Sequence, residues 1–160
     1  MSKRKKNIEE FFSGYESHFN NSLSGRNVDE TEKAIVGSFA DCFIESSPLG
    51  VNCSRNGKEF LTKIQQGFDF YKGIGSNGMS IVSKDITLLD DFHAMVKVYW
   101  NYAYVKDNIP GSVDFHVFYM LTTINEEIKI FAYIAGDEQK ALREKGLVAN
   151  EQEVMVNEER

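Results

Sequence analysis

Cysteine, proline and tryptophan are scarce in this chain of 160 residues, which has two cysteines, two prolines and one tryptophan. Cys42 and Cys53 fall in no Cys-x-x-Cys motif or other metal-ligand spacing, so the sequence predicts no metal site. Cys42 lies on the apolar face of a predicted helix, which indicates a buried free thiol. A chain of this length can bury a core in one domain without cross-links.

Long apolar runs are also missing. No stretch is long enough to span a bilayer, and Glu9 and Glu10 stand where a secretory signal would have its apolar segment. We therefore expect a cytoplasmic protein with no membrane partner. The glycine-rich stretch 73–78 follows a predicted helix, whereas a dinucleotide-binding loop opens one, so we expect no cofactor.

Basic residues are outnumbered, with 18 Lys and Arg against 24 Asp and Glu and a net charge of −6. The sequence predicts a basic N-terminal tail over residues 1–7, one domain over 8–147 and an acidic C-terminal tail over 148–160. The predicted domain is itself acidic. Because nucleic-acid recognition needs a basic face, we expect no nucleic-acid partner.

The first half of the chain has the periodicity of amphipathic helices. Apolar residues at three- and four-residue steps predict a first helix over 8–23 and a second over 29–47, which Pro48 ends. A short irregular or extended piece follows, and a third helix begins after Asn56. The second half alternates between apolar and polar residues, which predicts strands. The predicted strands cover 79–90, 93–106, 112–124 and 128–135, and a closing helix runs from 137 to 145.

This order of elements resembles the nuclear-transport-factor-2-like superfamily, in its SnoaL-like and ketosteroid-isomerase-like branches. The resemblance rests on the segments FIESSPLGVNCSRNGKEF, HAMVKVYWNYAYV and EEIKIFAYIAGDEQKALREKGL. It implies an α+β fold in which N-terminal helices pack in a strongly curved, mostly antiparallel sheet, a cone-shaped α+β barrel with a pocket inside. Many members of the superfamily dimerise through the outer sheet face.

The two predicted hairpin turns assign side chains to the faces of the sheet. A loop at 107–111 places residue 104 opposite 114, and a two-residue turn at 125–126 places 116 opposite 135. The resemblance puts the face that carries Phe131 and Tyr133 inside the cone. The outer face, with Ile128 and Ile130, is then the expected homodimer surface. On this register the outer face also carries Tyr99, Asn101, Val117, Tyr119, Leu121 and Ile134.

The predicted inner face combines titratable and aromatic side chains. His116 can act as an acid or a base near neutral pH, Asp114 could orient it, and Tyr102 could polarise a substrate carbonyl. These three are the candidate catalytic residues. The candidate ligand-binding residues are aromatic or apolar: Tyr15, Trp100, Tyr104, Phe118, Met120, Phe131 and Tyr133.

Three functions remain open at this point. The first is a cofactor-independent isomerase, dehydratase or cyclase that acts by acid–base chemistry on a small molecule. The second is a non-catalytic module whose pocket holds a small apolar or aromatic ligand. Ser47 favours it, since the isomerase-like branch often carries a carboxylate just before the proline at this place. The third is a dimeric protein-interaction domain whose pocket is filled by its own side chains.

Overall fold

The computed structural model of the protein describes residues 2–136 and 138–148. Within these residues the chain forms four helices and six strands. In chain order they are α1 (Lys3–Leu23), α2 (Val28–Gly37), β1 (Phe39–Ser47), β2 (Gly50–Arg55), α3 (Lys58–Gly73), β3 (Ser76–Leu88), β4 (His93–Lys106), β5 (Ile109–Ile124), β6 (Glu127–Ala135) and α4 (Glu138–Glu144).

The six strands form one curved, unclosed sheet in the order β2-β1-β6-β5-β4-β3. Strands β1 and β6 run parallel, and the other neighbouring pairs are antiparallel. The core lies between this sheet and the helices, where aromatic rings from both sides meet. The rings of Phe12 and Tyr119 lie 5.2 Å apart, and those of Phe19 and Trp100 lie 5.9 Å apart. The expected α+β architecture, with helices packed in a strongly curved, mostly antiparallel sheet, is confirmed.

Helix α1 is fastened to the edge strand β3 by side chains that reach its backbone. The Asn20 amide donates to the Met79 carbonyl over 2.6 Å, and the Met79 N–H donates back to Asn20 Oδ1 over 2.8 Å. The helix begins at Lys3, so most of the predicted basic tail is helical. Arg4 donates to the Asp90 carbonyl in the β3–β4 turn over 2.7 Å. The predicted acidic tail, after Val148, lies outside the described residues.

The second helix is shorter than the periodicity predicts. It ends at Gly37, and the segment Phe39–Ser47, predicted as its second half, is strand β1. Phe39 and Phe43 are both buried. A spacing of four puts two residues on the same face of a helix and also of a strand, so this pair fits either structure. The prediction of Cys42 as a buried thiol is wrong, because Cys42 is exposed on the strand.

The β4–β5 hairpin turns more tightly than predicted. Asp107 and Asn108 have φ angles of 52° and 62°, the left-handed conformation of a two-residue hairpin turn. Tyr104 therefore lies opposite Gly111, three residues from the predicted partner at 114. Three is an odd number, so every side chain of β5 points to the face opposite the predicted one.

The β5–β6 turn is the two-residue turn that was predicted, at Asn125 and Glu126. Near the turn the register agrees with the prediction, and Leu121 lies opposite Ile130. A bulge after Met120 then shifts the pairing by one residue, so that Tyr119 faces Tyr133. Within the part of the chain that the structure describes, no helix has the length and apolar character of a membrane span.

Candidate functional site

Helix α3 forms one wall of a cavity inside the cone. Its apolar residues recur at helical spacing. Phe60 is buried against Phe39 and Phe43 of β1, and Phe68 is buried against Phe19 of α1. The cavity between α3, α1 and the concave face of the sheet has a volume of about 240 Å³, slightly below the usual range for small-molecule pockets. It is lined by Tyr15, Phe19, Phe39, Phe60, Lys63, Ile64, Gly67, Phe68, Tyr71, Met79, Trp100, Tyr102, Phe115, Val117, Tyr119, Tyr133, Ala135 and Glu138.

Three polar side chains form a hydrogen-bonded chain at one end of this aromatic cavity. The Tyr102 hydroxyl donates to the Tyr71 hydroxyl over 2.9 Å, and the Tyr71 hydroxyl donates to Glu138 Oε1 over 2.5 Å. Tyr102 comes from β4, Tyr71 from α3 and Glu138 from the first turn of α4. Residues far apart in the sequence therefore meet at one point.

Burial tunes the acidity of each group in this chain. It raises the pKa of the Glu138 carboxyl, although the hydroxyls of Tyr71 and Tyr102 partly lower it again by hydrogen bonding. Burial also raises the pKa of Tyr71, and the neighbouring Glu138 charge raises it further. The pKa of Tyr102 rises for the same two kinds of reason. Both phenols thus keep their protons, while the carboxyl moves toward the pH range in which it can exchange one.

A second polar pair lies deeper in the cavity. The indole N–H of Trp100 donates to the Tyr119 hydroxyl over 3.3 Å. Burial raises the pKa of Tyr119 and, beside Glu45, that of Tyr133. Tyr15 is buried next to them, with its ring 6.1 Å from that of Tyr119. The cavity wall is thus apolar carbon with a few hydroxyl groups that remain protonated.

The structure divides the predicted site residues between the two faces of the sheet. Tyr15, Trp100, Tyr102 and Tyr133 line the cavity. Tyr104 extends the inner row of β4 beyond the cavity, with its ring over Gly111. Whether any of them acts on a ligand stays a prediction.

The placement of the other candidates inside the cone is wrong. The shifted hairpin puts Asp114, His116, Phe118 and Met120 on the outer face of β5, and the bulge puts Phe131 on the outer face of β6. There the rings of His116 and Phe118 lie 5.5 Å apart, and Asp114 accepts a hydrogen bond from Asn101 over 2.7 Å. Four residues that were predicted on the outer face are instead buried in the core: Val117, Tyr119, Leu121 and Ile130.

Two residues of the hydrogen-bonded chain could not be identified from the sequence, for different reasons. Tyr71 lies on the predicted stripe of the third helix, where an aromatic residue is most simply explained by packing. Glu138 lies in the closing helix, where an acidic residue in the first turn is ordinary helix chemistry. Neither pattern shows that the two side chains meet. The only available signal was the tyrosine-rich strand β4, which indicated a polar pocket without identifying its acid.

Among the described residues, no group of three or more His, Cys, Asp or Glu side chains could hold a metal ion.

Comparisons with known proteins identify the same architecture. A family model described as "NTF2-like protein (DUF6841)" matches residues 4–138. A comparison with curated proteins finds no match.

Three solved structures illustrate the similarity of the fold. An NTF2-like protein with a cystatin-like fold from Novosphingobium aromaticivorans has a TM-score of 0.65 and 9% identity, over 91% of this chain and 89% of its own. A ketosteroid isomerase-like protein from Erwinia carotovora atroseptica has a TM-score of 0.61 and 13% identity, over 85% and 97%. A candidate scytalone dehydratase from Novosphingobium aromaticivorans has a TM-score of 0.57 and 16% identity, over 82% and 81%. At these identities the likeness establishes the fold alone.

Proposed function

We propose that this chain, which belongs to the NTF2-like family of the matching model, binds a small molecule in its cone and transfers a proton to or from it. The expected reaction class is isomerisation, dehydration or cyclisation without a cofactor. Structural neighbours described as isomerase-like and as a candidate dehydratase support this class. The residues that carry the proposal, however, come from this chain's own cavity.

The observation that carries the proposal is the carboxyl group at the polar end of an aromatic pocket. Glu138 is held by the Tyr71 hydroxyl, which is itself held by Tyr102. Burial raises the pKa of the Glu138 carboxyl above its ordinary value, and a carboxyl shifted in this direction is better suited to take up and release a proton. A titratable group that burial shifts inside a cleft is a candidate functional residue.

The geometry suggests a division of roles. Glu138 accepts a proton from an acidic C–H group of the substrate, or donates one to a leaving hydroxyl. When the substrate binds, the Tyr102 hydroxyl exchanges its hydrogen bond to Tyr71 for one to the substrate oxygen on which negative charge develops. The aromatic walls exclude water and so strengthen both interactions. In this scheme Glu138 takes the role that the sequence analysis gave to His116.

Hydrogen–deuterium exchange at acidic carbon positions tests this proposal without knowledge of the natural substrate. A panel of one- and two-ring cyclic ketones in D2O is followed by NMR. We expect the wild type to exchange at least one ketone faster than buffer does. Glu138→Gln keeps the shape of the side chain but cannot take up the proton, so its rate should fall by about 10²- to 10⁴-fold.

The matched control is Glu144→Gln, on the same helix but exposed, which should exchange at the wild-type rate. Equal rates for wild type and Glu138→Gln would contradict the proposal.

A non-catalytic ligand-binding module is the second candidate. Its support is that the polar groups of the cavity bond to one another: Trp100 to Tyr119, and Tyr102 to Tyr71. Ser47, in place of the carboxylate that resemblance to the isomerase-like branch implies, favours it as well. Binding of the ketones with no exchange above the buffer rate would support this candidate over the enzyme.

We also propose a homodimer through the outer face of the sheet, with residues different from those first expected. Ile130 is fully buried in the core and Ile128 packs against it, so neither can form the surface. The proposed surface is instead the outward row of half-buried aromatic residues on β4 and β5. In that row the Lys97 ammonium lies 4.9 Å from the ring centre of Tyr99 and 5.3 Å from that of Phe118. We expect light scattering at micromolar concentration to give the mass of a dimer, and Phe118→Lys to give a monomer. A monomeric wild type would contradict this assignment.

A further inference from the structure

Three residues of α3 form a row along the edge of the cavity. Lys63, Gly67 and Tyr71 are spaced four residues apart, so they lie above one another on the same face of the helix. All three line the cavity. The neighbouring row, Phe60, Ile64 and Phe68, is apolar, as expected of a face that packs on a core. Lys63 therefore places a cation on the pocket side of an amphipathic helix.

Gly67 leaves a gap in the middle of this row. A Cβ atom built on Gly67 would have no other atom within 4 Å, apart from its chain neighbours and the helix backbone. Glycine inside a helix is less favourable than alanine by about 1 kcal/mol. No steric contact at this position requires glycine. Lys63 is exposed and also lines the cavity, so the cavity reaches the surface at this row, where Gly67 adds no side chain.

The ammonium of Lys63 is available to a ligand. The ion pairs found among residues 2–136 and 138–148 involve Lys84, His93 and Lys140, and none involves Lys63. Glu59, one turn earlier on α3, lies with Lys63 in an adjoining surface groove, but the two form none of the ion pairs within 4 Å. Arg55 lines the same groove. The groove next to the cavity thus carries two cations and one carboxylate.

The two polar ends of the cavity are well separated. Tyr71 lies eight positions after Lys63, which corresponds to about 12 Å along a helix axis. The Glu138 carboxyl is bound to Tyr71 at the far end. An anionic group at the opening therefore lies away from Glu138, whereas a cationic group there would meet Lys63 and Arg55.

We infer that the natural ligand carries an anionic group, such as a carboxylate, that pairs with Lys63 at the opening left by Gly67. Its apolar ring system then lies between Phe60, Phe68 and Trp100, with its reacting or hydrogen-bonding end toward Tyr71. This inference rests on the proposed function of the cavity and specifies its ligand class as small aromatic or alicyclic acids. Neutral molecules of the same shape bind less tightly.

Matched acid and amide pairs test this inference. The dissociation constants of 2-naphthoic acid and 2-naphthamide, and of 3-phenylpropanoic acid and its amide, are measured by calorimetry at pH 7.5 and low salt. We expect each acid to bind the wild type about fivefold more tightly than its amide, the size of an exposed charge pair of about 1 kcal/mol. Lys63→Met keeps the length of the side chain and should remove this preference without weakening the amides. Lys72→Met is the control, since Lys72 is exposed on the same helix but does not line the cavity.

The outcomes separate this inference from the proposed function. Acids preferred by the wild type and by Lys72→Met, but not by Lys63→Met, support the inference. Acids and amides bound equally by the wild type overturn it and leave the small-molecule pocket intact. A preference that survives in Lys63→Met also overturns it, because the anion is then recognised elsewhere. Failure of all four compounds to bind overturns the inference together with the pocket on which it rests.

Discussion

The two faces of the β4–β5 hairpin both carry aromatic and polar residues, but the polar groups are buried on one face and exposed to solvent on the other. On the inner face Tyr102 is buried and hydrogen-bonded into a chain that ends at Glu138. On the outer face Asp114 is exposed and pairs with the side chain of Asn101. Only on the inner face does burial move several pKa values together.

This difference shows that environment, more than residue type, selects the candidate chemistry. His116 and Asp114 are the residues that a chemist would choose from the sequence, since histidine titrates near neutral pH. Glutamate and tyrosine have ordinary pKa values far from 7. In the cavity, desolvation moves the glutamate toward neutral pH and leaves the tyrosines as reliable donors. The following predictions test this contrast between the faces.

The largest expected difference is in folding stability. Trp100→Ala removes a side chain with 2% exposure from the inner face and should lower the free energy of unfolding by about 3–5 kcal/mol. Phe118→Ala, on the half-buried outer face, should cost less than half as much. Urea denaturation of the two variants measures both values. Equal losses would show that the outer face is packed as tightly as the core, as a permanent dimer would require.

A smaller difference is expected for single hydroxyl groups. Tyr71→Phe removes the donor to the buried Glu138 and should destabilise the fold by about 1–3 kcal/mol. Tyr99→Phe removes only an exposed 3.4 Å contact with Asp85 and should change stability by no more than about 0.5 kcal/mol. Denaturant midpoints of the two variants give the comparison. An equal loss of stability at both positions would mean that the inner hydrogen-bonded chain stabilises the fold no more than the exposed contact does.

The pH dependence of stability gives the finest comparison. The folded-state pKa of Glu138 is raised, so the folded protein holds this proton more tightly than the unfolded chain. The contribution of Glu138 to stability is therefore complete below its unfolded pKa and is lost as the pH rises through the folded pKa. Relative to Glu138→Gln, the wild type should lose stability as the pH rises above the ordinary glutamate pKa of about 4.

Asp114→Asn serves as the control for that measurement. This variant makes the same carboxyl-to-amide change on the exposed outer face, so an effect specific to the cavity appears as the excess for Glu138→Gln. Thermal melts at a series of pH values measure both differences. A stability difference for Glu138→Gln that does not change with pH would show that its carboxyl is not desolvated.

The layout of the fold could be predicted from the sequence because its signals are local. The periodicity of the first and third helices, the alternation of the strands and the turn at Asn125 all act over a few residues. The second helix was predicted too long, because the spacing of Phe39 and Phe43 fits both the period of a helix and that of a strand. The decision between them depends on β1 pairing with β6, which is a long-range contact.

The site could be predicted only in part, because the face to which each strand side chain points depends on the exact number of residues in the turns and bulges. Tyr102 and Trp100 were placed correctly, since the apolar–polar alternation of β4 is unbroken and assigns both side chains to the core. The β5 residues were misplaced by a turn of two residues instead of five, and Phe131 by the bulge after Met120. Glu138 could not be found, because nothing in the sequence tells that α4 returns to the end of α3.

Fluorescence of Trp100 tests the central claim, that ligands bind inside the cone, most directly. Trp100 is the chain's one tryptophan, and it lines the cavity on the inner face. Titration with 2-naphthamide and with cyclic ketones is followed by tryptophan emission, in parallel with calorimetry, on the wild type and on His116→Ala. The account predicts a saturable change in emission with the same dissociation constant as calorimetry, unchanged in His116→Ala. Binding by calorimetry that leaves Trp100 unaffected, or that disappears in His116→Ala, would place the ligand on the outer face and contradict the account.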